Sequence, residues 1–405
     1  MRMVGNSILF VSWQGGLGHI TRDLAIVDEL HRQNTKIRVS WIAHPLASQL
    51  IQQAGETLLP ESKLGADYNL VGAQIINNFK LDLMKYSKLG RPPQNHNIDL
   101  FRQVIAKYDF DLVIGDESYE IAKALFMGQI QLKPRMVMIE DFVGAEAMTR
   151  NPLEKIGIYK RNRFFAKGLH GVPASRLTHF FVGELEDIPD RRFGLFLPNR
   201  REFARQRYHF LGYIIRFNPA EYTDKAKIRK KLGYGKEPLI ICATGGTCAG
   251  KEMLETCGKA YTILKKDIPD LRMIFVCGEL FGLKPPELPP GAEVHAFIPD
   301  IYEHYAACDM AVVVGGGTTT VELTALRRPF IFFPLENQYD QQLYIAERLA
   351  RYGAGIKMRY FETTPESLAN AIRTNIGKEV NWKRINIGGA QEAATLINGF
   401  LTSTA

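Results

Sequence analysis

The chain has 405 residues, 46% of them hydrophobic and 23% charged, with 35 Gly and 20 Pro. That composition excludes disorder, collagen and coiled coil, and the length predicts two or three domains rather than one core. The net charge of +8 is localised: residues 150–217 carry 14 Lys or Arg against 6 Asp or Glu, and the remainder is neutral. A diffusely basic nucleic-acid binder is thereby excluded. No apolar run approaches the ~20 residues of a membrane helix. The start of the chain reads without a signal peptide. The five Cys (242, 248, 257, 277, 308) have no CxxC or metal-ligand spacing, which predicts a reduced, cytosolic chain without disulfides.

Strand-like and helix-like stretches alternate. Ile8–Ser12 reads as a strand, followed by Gly15-Gly16-Leu17-Gly18, and from His19 the apolar residues Ile20, Leu24, Val27 and Leu30 keep helical spacing. Strand 37–42, helix 45–54, strand 111–115, helix 119–127 and strand 135–139 follow, and residues 61–97, with Pro92-Pro93, read as irregular. A second series opens at strand 239–242, then helix 251–266, strands 272–277, 294–297 and 309–314, helix 318–326, strand 330–333 and helix 338–350. Repeated βαβ units predict an α/β fold of two Rossmann-like parallel-sheet domains. The expected division is 1–218 and 219–405, with the last helix, about 391–400, packing back on the first domain.

Three glycine-rich turns follow strands: 15–18, 244–250 and 315–317. Each would present backbone amides at a helix start, where anions are stabilised. Gly245-x4-Gly250-Lys251 is followed by Glu252, so the Mg²⁺-binding hydroxyl of a P-loop is missing. Gly16-x-Gly18-x-x-Thr21 lacks the third glycine of a dinucleotide fingerprint, and the second strand ends without the acidic ribose ligand. ATPase and nicotinamide-dehydrogenase chemistry are therefore disfavoured. Gly315–Gly317 opens a helix with Thr318, Thr319 and Glu322 on one face. Glycines admit a diphosphate, Thr hydroxyls add donors, and Glu322 can accept both hydroxyls of a ribose. A plain Thr cap with a surface Glu is the alternative.

The segment Val314-Gly-Gly-Gly-Thr-Thr-Thr-Val-Glu322, continuing to Pro329 and Pro334, resembles the donor-binding signature of the UDP-sugar glycosyltransferase superfamily of GT-B fold, including the family 28 enzymes. The resemblance covers roughly residues 7–60, 105–145 and 237–358. It implies donor-sugar contacts within 336–342 (Glu336, Asn337, Gln338, Asp340, Gln341, Gln342) and base contacts at Phe297 and Ile298. It implies donor-diphosphate contacts at Gly245, Gly246, Thr247, Gly315, Gly316, Gly317, Thr318 and Thr319, and an acceptor side at Gly16, Gly18 and Arg22. Many relatives carry His or Arg where this chain has Val314, so either the Gly/Thr backbone suffices or a cation comes from elsewhere, Arg22 or Lys251.

His19 is the expected general base. It follows three glycines at a helix start, where the positive dipole end disfavours imidazolium. Asp116, at a strand's carboxyl end, is expected to hold the other ring nitrogen, with Glu117 as competitor. The implied enzyme is a hexosyltransferase moving a sugar from a nucleoside diphosphate, most simply UDP, to an acceptor hydroxyl with inversion, without metal or cofactor. A nucleotide-sugar hydrolase, an epimerase of the same fold and a non-catalytic nucleotide-sugar-binding partner are the rivals. The basic, aromatic segment 150–217 suits either a solvated face over core aromatics or a peripheral contact with anionic lipid at the inner membrane face, as a lipid-linked acceptor would want.

Overall fold

The computed structural model describes residues 6–13, 15–77, 79–167, 172–173, 175–246, 249–279, 283–335 and 341–402. It opens with β1 (Ser7–Ser12), α1 (Gly18–Gln33), β2 (Arg38–Ala43), α2 (Pro45–Gln53) and β3 (Thr57–Leu58). Next come α3 (Tyr68–Ile75), a short hairpin of β4 (Ile76–Asn77) and β5 (Lys80–Leu81), α4 (Leu83–Leu89) and α5 (Arg91–Lys107). Then β6 (Leu112–Asp116), α6 (Tyr119–Phe126), β7 (Arg135–Glu140), α7 (Pro152–Lys167), β8 (Leu177–Val182), α8 (Arg200–Arg205) and β9 (Tyr208–Gly212) complete the first sheet. Its order is β3-β2-β1-β6-β7-β8-β9, all parallel.

The second series is α9 (Lys225–Lys231), β10 (Leu239–Ala243), α10 (Lys251–Leu264), β11 (Arg272–Val276), β12 (Glu293–His295), α11 (Ile301–Ala307), β13 (Met310–Val314) and α12 (Gly317–Ala325). It continues through β14 (Phe330–Phe333), α13 (Gln341–Tyr352), β15 (Ile356–Lys357), α14 (Pro365–Asn375) and α15 (Gly389–Thr402). These strands form a parallel sheet of order β12-β11-β10-β13-β14-β15.

Strands such as β13, Met-Ala-Val-Val-Val, are buried along their whole length, because helices cover both faces of a parallel sheet and leave no polar side. Each sheet switches direction of growth beside its first strand, β1 or β10, and loops at the carboxyl edge there form a crevice. Both crevices face the same cleft, giving the α/β, two-sheet GT-B architecture.

Two local readings are corrected. Residues 61–97 are largely helical: Asp67 and Asp82 cap α3 and α4 through side-chain oxygens, and Pro92-Pro93 sit in the first turn of α5. Proline is tolerated there because first-turn amides have no helical partner. The strand expected to reach Phe297 stops at His295. The start expected at 338 for the following helix lies outside the described residues, and α13 is described from Gln341.

The chain crosses between the sheets twice. After β9 the amide of Tyr213 donates to Asn386 O at 2.8 Å, and on the return Gly389 N donates to Tyr213 O at 3.1 Å. The helix α15 then packs on α1, with Ala393, Ala394 and Ile397 in one cluster with Leu24 and Val27. Asn398 Nδ2 also donates to Gln33 Oε1 at 3.0 Å.

The cleft is closed around its glycines. A Cβ on Gly18 would meet Thr318 Oγ1 at 2.7 Å, and one on Gly246 would meet Leu17 Cβ at 2.7 Å. The helix α13 clamps the same side: Arg351 Nη2 lies 3.0 Å from Glu184 Oε2 and 2.9 Å from Asp187 Oδ1, and Arg200 Nη1 donates to Tyr344 OH at 3.1 Å. Alanine at 246 is expected to prop the loops apart, since the obstructing atoms are backbone and Cβ rather than a flexible tip. Gly246→Ala should keep its circular-dichroism spectrum and increase its radius of gyration by small-angle scattering; an unchanged radius would refute the close contact.

Candidate active site

His19 occupies the first turn of α1, beside a buried ion cluster. Its Nδ1 lies 3.2 Å from Asp116 Oδ2 and 2.9 Å from Arg22 Nη2. A proton on Nδ1 favours Asp116 and leaves Nε2 as an acceptor; a bare Nδ1 instead accepts from Arg22. Asp116, at the end of β6, is fully buried and bound by Arg22 through Nε at 2.7 Å and through Nη2. Burial pushes its carboxyl up, but Arg22 and His19 more than offset this and hold it below the usual carboxylate range. Arg22 Nη1 also donates to Asp141 Oδ2 at 3.1 Å.

Glu117, the competitor to Asp116, has φ 47° and a carboxyl pushed well up by burial and by Asp141. It stands beside the ion pairs, and Asp116 is the partner of His19. Asp23 behaves similarly: burial and Asp116 raise it, and Ser12 Oγ donates to it. Its Oδ1 is buried without a partner. The cluster thus gathers four carboxyl groups around one guanidinium, Asp116 and Asp141 held down and Asp23 and Glu117 pushed up.

The Gly15–Gly18 turn is tied to the first sheet by α3. Gly16, with φ 87°, donates its amide to Asn69 Oδ1 at 2.8 Å, and Asn69 Nδ2 lies 3.2 Å from His44 Nδ1. Burial, and His19 nearby, lower His44 to about 4, so its imidazole is neutral. The turn leads into a cavity of about 220 Å³ lined by Gly16, Gly18, His19 and Arg22 from this side.

Gly245, Gly246, Gly316, Gly317, Thr318 and Thr319 line the opposite side. Gly315 does not supply an amide to the cleft, because its N–H donates to Phe333 O at 2.9 Å within the sheet. The open donors fall instead on the first turn of α12, whose opening amides have no helical acceptor. Val314 is buried at the floor of the cleft, against the Gly250 turn. Lys251 lies 3.5 Å from Glu255 on its own helix.

Glu322 lies a turn deeper in α12, 5% exposed, and burial alone pushes its carboxyl up to about 8. Tyr305, on α11, senses both Glu322 and Thr319. Ile298 is buried and Phe297 half-exposed beyond β12, and neither is among the residues lining the cavity. Thr247, Glu336, Asn337, Gln338 and Asp340 lie outside the described residues, as do the side chains of Gln341 and Gln342.

Sequence reasoning missed Asp141, Asn69, Tyr213 and Arg348, all at this cleft or its walls. Asp141 had a signal, since it directly follows β7 at the carboxyl edge of the sheet. The others come from α3, from the segment after β9 and from α13 of the second series, with no local pattern.

Because Glu322 binds its proton more tightly folded than unfolded, its contribution opposes folding as pH rises from about 4.5 towards 8, by at most ~1.4 kcal/mol per pH unit. Denaturant titrations across that range should fall less steeply with pH for Glu322→Gln than for wild type; parallel curves would refute the assignment.

Residues 240–384 match the model of the glycosyltransferase family 28 C-terminal domain. An uncharacterized glycosyltransferase of Methanopyrus kandleri is 26% identical over 195 residues, 47% of this chain and 54% of its own. The chain spans about half the length of the first curated relatives it matches, 54% and 58%. The UDP-N-acetylglucosamine--N-acetylmuramyl-(pentapeptide) pyrophosphoryl-undecaprenol N-acetylglucosamine transferase of Corynebacterium diphtheriae is 21% identical over 95% of this chain and 92% of that protein. Among solved structures, the glycotransferase of kitacinnamycin superposes with a TM-score of 0.62 at 18% identity, covering 98% of this chain and 99% of that one, which shows a shared fold. The chain thus has the GT-B fold, and its residues 240–384 are similar to the glycosyltransferase family 28 C-terminal domain.

Proposed function

We propose that this protein is an inverting, metal-independent hexosyltransferase that moves a sugar from a UDP-sugar to an acceptor hydroxyl. The observation that carries the reading is the meeting of His19, backed by Asp116, with the Gly/Thr turns of the second sheet across one cavity. His19 Nε2 takes the acceptor proton as the hydroxyl oxygen attacks the anomeric carbon, and Asp116 stabilises the imidazolium that forms. The bond from the anomeric carbon to the diphosphate oxygen breaks, and the amides of Gly317, Thr318 and Thr319 take the developing charge. Glu322, with Thr319 and Tyr305 beside it, is the ribose acceptor of this reading. Phe297 and Ile298 face the base and residues 336–342 hold the sugar. Gly16, Gly18 and Arg22 border the acceptor.

A thermal-shift panel of UDP, TDP, GDP and ADP and their sugars tests the donor. UDP or a UDP-sugar should stabilise wild type in proportion to ln(1 + [L]/Kd) and leave Glu322→Ala unshifted. His19→Ala should keep that shift and lose about 10²–10⁴-fold in turnover. UDP release that needs only water marks a hydrolase instead, and binding without turnover a non-catalytic partner.

The acceptor in this reading is lipid-linked, as the printed name of the Corynebacterium relative says of that enzyme. No helix among the described residues is long and apolar enough to cross a membrane. The basic segment nevertheless divides in two. Phe165 and Phe193 are core, whereas Leu153, Ile156, Leu195 and Phe196 are exposed, Phe196 by 86%. Tyr159 OH donates to Leu195 O at 3.1 Å and ties the 195–196 loop to α7. Exposed Lys155, Lys160 and Arg163 rim this patch, the arrangement that suits the inner, anionic membrane face. Vesicles containing phosphatidylglycerol should bind wild type in a salt-sensitive way, and Leu195→Asp with Phe196→Asp should weaken sedimentation at least about tenfold. Equal binding by both proteins would sink the membrane contact.

A further inference from the structure

Amides at helix starts carry partial charge only, and a diphosphate also wants a full positive charge beside it. Among the described residues, two guanidinium groups line the cavity, Arg22 and Arg348. Arg22 is already committed: Asp116 takes its Nε and Nη2, and Asp141 takes Nη1. A phosphate would have to compete there with two fixed carboxylates.

Arg348, on α13, has different surroundings. Its Nη2 donates to Gly317 O at 3.3 Å and to Thr320 Oγ1 at 3.0 Å, so the guanidinium rests on the first turn of α12. Its carbon lies 5.2 Å from the centre of the Tyr213 ring. Among the described residues no carboxylate pairs with it, although Arg351, one turn on, is held by Glu184 and Asp187. Its Nε is buried with no hydrogen-bond partner. A half-buried guanidinium with an orphaned donor and no counter-charge is costly unless an anion completes it. The adjoining turn is the one whose Gly317, Thr318 and Thr319 line the cavity, and a turn deeper lies the buried Glu322 carboxyl. Val314 at the end of β13 brings no charge to that wall.

We propose that Arg348 is the diphosphate-binding cation of this cleft, its guanidinium gripping phosphate oxygens of a nucleoside diphosphate held over the first turn of α12. The inference rests on the donor-site reading above and adds to it the residue that replaces a cation at Val314. The planar fork matters as well as the charge, because two parallel N–H donors match two phosphate oxygens in a way an ammonium does not.

Calorimetric titration of the full chain with UDP and with uridine separates charge from base and ribose contacts. Wild type should prefer UDP over uridine. Arg348→Met should lose about tenfold or more in UDP affinity, the scale of a charge-assisted hydrogen bond, with uridine affinity unchanged. Arg348→Lys should recover only part of the loss, and the salt dependence of UDP binding should flatten in Arg348→Met. If the methionine variant misfolds, seen as lost uridine binding and a lower Tm, Arg348→Gln decides, since it keeps a donor for Thr320 and removes the charge. A UDP-to-uridine preference equal to wild type in the folded neutral variant overturns the role of Arg348 alone. A wild type that binds no UDP overturns the donor-site reading, and this inference with it.

Discussion

The architecture depends on a close approach that only glycine permits. Leu17 and Gly18 at the carboxyl edge of the first sheet stand against Gly246 and Thr318 at the edge of the second, at distances that leave no room for a further side-chain carbon. Everything chemically distinctive lies around that contact. The starts of α1 and α12 point into one small space, so two sets of amides act on a single volume. In bulk water neither helix dipole would count for much, but at a cavity walled by protein both are felt.

The second determinant is electrostatic. Five acidic or basic groups, Arg22, Asp23, Asp116, Glu117 and Asp141, share the space behind His19 and shift one another's proton affinities. Arg22 sets the direction. The carboxyls it touches, Asp116 and Asp141, are held down, whereas burial and those neighbouring anions push Asp23 and Glu117 up. His19 thereby meets a fixed negative partner rather than a shifting set. The left-handed backbone of Glu117, a strained conformation for a side chain of that size, is tolerated at the same spot.

Much of this was legible in the sequence. The β-strands announced themselves as short apolar runs, and the glycine turns followed them at the positions where a parallel sheet opens its crevice. His19, Asp116 and the Gly/Thr turn at 316–319 were readable because each belongs to a contiguous local pattern. What stayed hidden depends on distant partners. Asn69 anchors Gly16 from 53 residues away, and Arg348 reaches Gly317 across 31. Residues 61–97 looked irregular because Pro92-Pro93 reads as a break, yet at a helix start proline costs nothing. The basic segment was misleading in a different way: half its aromatics are ordinary core, and the exposed apolar residues Leu195 and Phe196 lie on a loop with no periodicity to betray them.

The two chain crossings between the sheets are hydrogen-bonded to each other at Tyr213, Asn386 and Gly389. A body tied to another at two adjoining points can swing about the line through them, but it cannot twist or slide freely. Any opening of this cleft about those crossings would therefore be an angular swing, like a door on paired hinges. A single nick in either crossing would leave the other still holding the halves together.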